Sequence, residues 1–207
     1  MSAEAPAPER ARSSLRFSAR DLVGVAIFAV IFIVVTYAIG MLGVISPLTW
    51  LVVVPTATLA NGVTFMLFVT RVRHAGMITL LALVIALFYL LTGNSVLSTI
   101  GIMAVGALAD LVAFLGRYRS RRAYLWSYSV FGLSSFTPFI PLLVNREEYF
   151  NAAGWKTMGE DYMRAADALL SAPVVAGMAF VFVAAGFAGG LFGSAMLRKH
   201  FVRAGLA

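Results

Sequence analysis

The chain contains no cysteine, which removes disulfides, thiolate metal sites and cysteine nucleophiles. Only two histidines occur, His74 and His200, too far apart for a His-x-x-x-His zinc helix. No Gly-Lys-Ser or Gly-Lys-Thr loop is present, so the chain has no phosphate cradle with which to hydrolyse ATP itself. Charge is also scarce. Ionic residues make up 12% of the 207, about half the share of a soluble domain. What fills the gap is apolar: 61% of residues are hydrophobic, more than water-facing groups could cover, so lipid is the fitting solvent. No cofactor, metal or catalytic cluster is expected from this inventory, and the chain does not read as an enzyme.

The net charge of +7 does not point to nucleic acid, because the cations sit in short connections between apolar runs. Such loop Lys and Arg are the expected anchors of a membrane protein. From Asp21 to Arg71 no charge intervenes, which leaves room for two helices of about 20 residues. Ser46 and Pro47 punctuate that run, giving spans near 22–43 and 49–70. A second uncharged run, 75–109, breaks at Thr92-Gly93-Asn94, a turn signal, giving spans near 76–92 and 95–115. Two more fall near 123–144 and 170–197. In lipid such runs must be helices, since backbone groups there are satisfied internally, and the alternating segments of a β-barrel are absent. The expected fold is an all-α six-helix transmembrane bundle over 21–207. Residues 1–20, rich in Ala, Pro and Ser, read as a disordered cytoplasmic tail. The first apolar run is too long for a signal peptide and lacks a cleavage site.

Charge orients the spans. The tail, the Arg71-Val72-Arg73-His74 connection, the stretch 117–122 and the C-terminal Arg198-Lys199-His200 region hold 13 of the 16 Lys and Arg. The opposite connections hold Arg146, Lys156 and Arg164 beside five acids, Glu147, Glu148, Glu160, Asp161 and Asp167. The positive-inside rule then sets both termini in the cytoplasm of a bacterial cell membrane and the 145–169 segment outside.

That outer segment is the one place with room for a site. Met158, Tyr162, Ala166 and Leu169 form a helical apolar stripe. Arg146, Glu147, Tyr149 and Trp155 precede or open it. It reads either as an interfacial helix with belt aromatics or as a lid over an outward pocket. Phe136-Thr137-Pro138-Phe139-Ile140-Pro141 sets two prolines three apart in a span, which removes two helical hydrogen bonds. Tyr37, Trp50, Thr92 and Asn94 share that outer side. Together with Phe136 and Phe139 these are the candidate ligand contacts, with Arg146 or Glu147 supplying charge recognition.

Asp110 is the acid inside an apolar run, where ionisable groups are costly. Its place near Arg117 suggests an interfacial ion pair or a partner contact rather than a proton relay. Asn61 reads as a helix-to-helix hydrogen bond. Gly186–Gly190 and Gly189–Gly193 have GxxxG spacing, read as internal packing, and Gly24, Ala26 and Ala29 offer a looser small face for a partner.

Several runs carry a family resemblance across roughly 17–207. They are Asp21-Leu22, Gly40-Met41-Leu42-Gly43, Leu91-Thr92-Gly93, Ala109-Asp110-Leu111 and Ser127-Tyr128-Ser129-Val130-Phe131, followed by Pro138-Phe139-Ile140-Pro141 with Arg146, Tyr149 and Phe150 and by Lys199-His200-Phe201 with Ala204-Gly205. In order and spacing they resemble the Trep_Strep or MptD family, taken as S subunits of energy-coupling factor (ECF) transporters. The resemblance implies a six-helix S subunit that binds a micronutrient near the outer face. It also implies a membrane T subunit, two cytoplasmic ATPases, and toppling of the S subunit when they act. Many S subunits dock the T subunit through an AxxxA face on the first helix; here Ala26 and Ala29 are three apart and Val25 stands where that pattern needs alanine.

The expected function is therefore a substrate-binding S subunit for a small organic nutrient, in contact with lipid and with the T and ATPase subunits. The alternatives are a stand-alone membrane carrier, a lipid-modifying membrane enzyme using Asp110 or Glu147, and a structural subunit with no ligand.

Overall fold

The computed structural model describes residues 18–72 and 74–203. Arg10, Arg12 and Arg16 of the tail, together with Arg73, lie outside the described residues, as does the Ala204-Gly205 end. All regular structure among the described residues is helical. Helix α1 (Ala19–Gly40) starts at a capping box, in which the Ser18 hydroxyl accepts from the Asp21 amide and the Asp21 carboxylate accepts from the Ser18 amide. A 3-10 turn, Met41–Ile45, tightens its end. Helix α2 (Pro47–Arg71) follows at once, with Ser46 as N-cap and Pro47 at its first position, where a missing N–H costs nothing. Helices α3 (Met77–Leu91) and α4 (Val96–Leu115) form a hairpin, with Gly93 at φ 91° in the turn. There a side chain would be strained.

Five segments are long and apolar enough to cross a bilayer: Ala19–Ile45, Pro47–Arg71, Val96–Leu115, Arg121–Val144 and Ala172–Lys199. Helix α3 has only 15 residues, a length of about 22 Å. Its start nevertheless lies beside the start of α1, with His74 Nε2 3.9 Å from Asp21. Its end lies beside the end of α1, where the Tyr37 hydroxyl donates to Thr92 Oγ1 at 3.3 Å.

The fifth segment, read from sequence near 123–144, is one bilayer-length stretch but not one unbroken helix. Helix α5 (Arg121–Phe131) gives way at Gly132 to 3-10 turns, then to α6 (Ile140–Val144). The prolines explain why the break persists. Pro138 cannot donate to the Ser134 carbonyl, and the Thr137 hydroxyl takes that acceptor at 2.8 Å instead. The Thr137 carbonyl, left by Pro141, accepts from the Ile140 amide. The 145–169 cap also differs from one continuous stripe. It is three short helices, α7 (Arg146–Asn151), α8 (Ala153–Lys156) and α9 (Glu160–Leu169), interrupted by Gly159 at φ 89°. Tyr162, Ala166 and Leu169 turn inward as expected, whereas Met158 falls in the preceding turn.

Helix α10 (Ala172–Arg203) closes the bundle against α2 and α5. Gly186, Gly189 and Gly193 on it are internal packing devices. A Cβ at Gly189 would lie 2.6 Å from the Leu59 carbonyl oxygen, one at Gly186 would lie 2.7 Å from that of Tyr128, and ones at Gly62 and Gly193 would strike each other's helix backbones. Polar side chains then stitch neighbouring helices. Asn61 donates to Thr36 Oγ1 at 2.8 Å and to the Phe32 carbonyl at 3.2 Å. Ser127 donates to the Ala109 carbonyl at 2.7 Å, Ser129 to that of Val183 at 2.9 Å, and Tyr128 to that of Thr58.

The close approach of α10 to α2 yields a first prediction. Gly189→Leu should cost about 1–3 kcal/mol through overpacking and lower the detergent melting temperature. Gly177→Ala, on the same helix but facing open space, should be neutral or stabilise by up to about 1 kcal/mol. Equal melting shifts for the two variants would refute the seam.

Candidate functional site

Three connections meet at one end of the bundle and enclose a cavity of about 880 Å³, within the range of small-molecule sites. One wall is the α1–α2 corner, with Tyr37 and Trp50. A second is the α3–α4 turn, with Thr92, Asn94 and Ser98. The third is the stretch from Pro138 through the cap.

Each wall is fixed by its own local chemistry. Tyr37 packs edge-on against Phe88 with centroids 5.4 Å apart while its hydroxyl reaches Thr92. Asn94 turns its amide back to the Tyr89 carbonyl at 3.2 Å, closing the end of α3. Ser95 caps α4 by accepting from the Ser98 amide at 3.1 Å. The cap is held to the α1–α2 corner by the Tyr162 hydroxyl, which donates to the Gly43 carbonyl at 2.8 Å. Trp155 sits at the centre of the aromatic wall. Its ring lies 5.0 Å from Phe150, 5.4 Å from Tyr149, 5.5 Å from Trp50 and 6.2 Å from Tyr162. Burial pushes the Tyr149 and Tyr162 hydroxyls above the ordinary phenol range, so both stay neutral donors at physiological pH.

The structure brings most of the residues expected from sequence together, though not all in the expected role. Tyr37, Trp50, Thr92, Asn94, Tyr149 and Trp155 line the cavity. Phe139 is buried behind the wall, stacked on Trp50 at 4.8 Å, and Phe136 stacks on Phe139 in turn. Neither reaches the lining, so both support it rather than touch a ligand. Arg146 does not supply charge to the cavity. Its Nε binds Asp167 at 2.6 Å, its Nη1 donates to the Leu170 carbonyl at 2.8 Å and its Nη2 to that of Asp167. It is a clamp on the free carbonyls at the end of α9. Glu147 faces away, and its neighbour Glu148 takes its place in the wall. A helical signal could have found it. Asn145, Glu148, Tyr149 and Ala152 are spaced i, i+3, i+4 and i+7 and share one face of α7, and Asn145 caps that helix by accepting from the Glu148 amide at 3.1 Å.

The residues expected to meet a partner do not form one surface. Ala29 is fully buried, Gly24 packs near Val72, and Ala26 alone is exposed. Asp110 is 6% exposed and makes no ion pair with Arg117 among the described residues. Its carboxylate accepts from the Thr79 hydroxyl and the Tyr118 hydroxyl, each at 3.0 Å. Arg117 and Tyr118 both have positive φ, 53° and 50°, a region disfavoured for such side chains. The Asp110–Tyr118 bond, with the Tyr124 hydroxyl on the Tyr118 carbonyl at 2.7 Å, holds that turn.

Comparison with protein families matches residues 19–203 to hypothetical bacterial integral membrane protein (Trep_Strep). The chain belongs to the Trep_Strep family. It is a multi-pass membrane protein on two grounds, this membership and its several bilayer-length apolar helices. No curated protein and no solved structure matches the chain. In this Trep_Strep protein the cavity, rather than any reactive cluster, is the feature that invites a function. No group of three metal-binding side chains exists among the described residues.

The Arg146 clamp yields the second prediction. Arg146→Met strips the α9 carbonyls of a charged donor and should weaken the cap by about 1–3 kcal/mol. Asp167→Asn removes only the half-exposed ion pair, worth about 0–1 kcal/mol. Hydrogen exchange over 160–170 measures both, and an Asp167→Asn effect as large as that of Arg146→Met would reject the clamp.

Proposed function

We propose that the chain is the substrate-binding S subunit of an energy-coupling factor importer. It captures a small organic micronutrient in the cavity at the outer face of the bacterial cytoplasmic membrane. A T subunit and two cytoplasmic ATPases then drive delivery. The observation that carries this reading is the aromatic-walled cavity at the end of the bundle where the connections are poorest in Lys and Arg. A pocket that opens outward and a chain with no nucleotide-binding loop suit a receptor that borrows its engine. The family resemblance supplies the identity of that engine.

The reading takes α3 as a sixth span and sets both termini inside. Support comes from the course of α3 from the Asp21 end of α1 to its Tyr37 end, since a helix joining the two ends of the bundle crosses whatever the bundle crosses. The distribution of basic residues agrees at every connection. A chain lacking native cysteine makes the topology directly testable. Single cysteines in place of Val96 and Thr157 should react with an impermeant maleimide on intact cells. Those replacing His74 and Arg119 should react only after permeabilisation. Labelling of Thr157→Cys only from inside would invert the topology and remove the outward receptor.

The energetic half of the proposal has its own measurement. Cells making the chain with its T subunit and ATPases should accumulate the ligand found bound to the purified protein. Cells making the chain alone should bind it without accumulation, and loss of the ATPase Walker lysine should abolish uptake. Concentrative uptake by the chain alone would mark a stand-alone carrier instead.

A further inference from the structure

We infer that the cavity selects ring-bearing organic solutes with no net negative charge, amines and other organic cations above all, and turns away free carboxylates and phosphate esters. This rests on the receptor reading and specifies what the receptor takes.

The charges of the cap carry the argument. Of its three cations, Arg146 is committed to Asp167 and two backbone carbonyls. Arg164 is shared between Asp161 at 3.2 Å and Glu160 at 3.7 Å. Lys156 is exposed and lies outside the lining. No Lys or Arg lines the cavity, and Glu148 is its one ionisable acid. Neither Glu147 nor Glu148 forms an ion pair among the described residues. The potential in the cleft is therefore negative, and a cleft focuses it. An anion entering would give up hydration without meeting a charged donor, and the desolvation of an ion is expensive.

The helix N-termini that could attract an anion are each capped by a side chain. The N-terminus of α4 opens on the cavity, yet Ser95 takes its Ser98 amide. The N-terminus of α7 is capped by Asn145 and carries Glu147 and Glu148 in its first turn. A cation meets the opposite situation. Glu148, steadied by the Asn145 amide at 3.0 Å, lines the same cavity as Tyr149 and Trp155, whose rings lie 5.4 Å apart. A carboxylate and aromatic rings lining one cavity are the groups that stabilise an organic ammonium or an electron-poor ring.

The test uses the full chain in mild detergent. Native mass spectrometry identifies any co-purified molecule, and thermal shift with calorimetry compares pairs that share a ring: tryptamine with indole-3-acetate, pyridoxamine with 4-pyridoxate, thiamine with thiamine monophosphate. The uncharged or cationic member of at least one pair should bind, more tightly at low salt, and its acidic partner should not. Glu148→Gln should weaken the cationic member about tenfold or more while leaving melting of the free protein unchanged. Lys156→Gln should not weaken it. A co-purified carboxylate or phosphate ester, preference for the acidic members, or amine binding untouched in Glu148→Gln would overturn this inference and leave the importer reading standing. Absence of any bound molecule and of any response across the pairs would overturn the receptor reading and this inference with it.

Discussion

A bilayer offers no water to an exposed amide, so every backbone group freed inside a span has to find a partner within the protein. That constraint governs this chain more than hydrophobicity does, because apolar side chains gain nothing by leaving lipid for one another. The break between α5 and α6 is tolerable only because Thr137 and the Ile140 amide take the carbonyls that Pro138 and Pro141 leave. The same rule accounts for the side-chain bonds that cross between helices. Asn61, Ser127, Tyr128 and Ser129 each donate to a carbonyl on a neighbouring helix. Those bonds tie α1, α2, α4, α5 and α10 into one body where packing alone supplies little.

With association left to close contact, residue size along α10 shapes the bundle. Toward its C-terminal half Gly186, Gly189 and Gly193 let backbones touch. Toward the cap the inward positions are Val175, Met178 and Phe182, packed with Phe139, Leu142 and Leu170. Small residues let the helices touch toward the basic end, and bulky ones fill the core toward the cap. Helix α5 ends at Phe131, and the chain continues through 3-10 turns and α6 into the cap. The cavity occupies the opening among the three connections that remain. At the basic end the Asp110, Tyr118 and Tyr124 bonds fasten the α4–α5 turn in a conformation that two non-glycine residues would otherwise avoid.

Much of this was legible in the residues. Charges and turn formers bound the second, third and fourth long helices so sharply that 49–70, 76–92 and 95–115 fall within two residues of Pro47–Arg71, Met77–Leu91 and Val96–Leu115. The aromatic wall was legible too, because Trp50, Tyr149 and Trp155 lie beside turns that had to share a side. What failed were the features decided by tertiary partners. Hydropathy cannot see that Gly132 is pressed against the Phe182 carbonyl, so the break in the fifth segment seemed to belong to the prolines alone. Nor can it tell which of two adjacent glutamates a short helix turns inward. Arg146 looked like a ligand anchor until Asp167, 21 residues later, claimed it.

That last capture has consequences for how a receptor of this shape would work. An arginine free in the cavity would make it a trap for abundant metabolic anions. Its commitment to α9 instead stiffens the cap and leaves Glu148 as the one charge in the wall. The cap aromatics, meanwhile, are packed on one another through Trp155. On the receptor reading, a ligand ring that enters among them exchanges some of those contacts for its own, and its binding energy is then the difference between two packed states. Tyr162 joins that cap to Gly43, at the end of α1, and Tyr37 joins α1 to the α3–α4 turn. Hydrogen bonds rather than loose chain thus connect the cavity walls to the end of α1. On the importer reading, this connection gives a passive binding subunit a means of reporting that it is loaded.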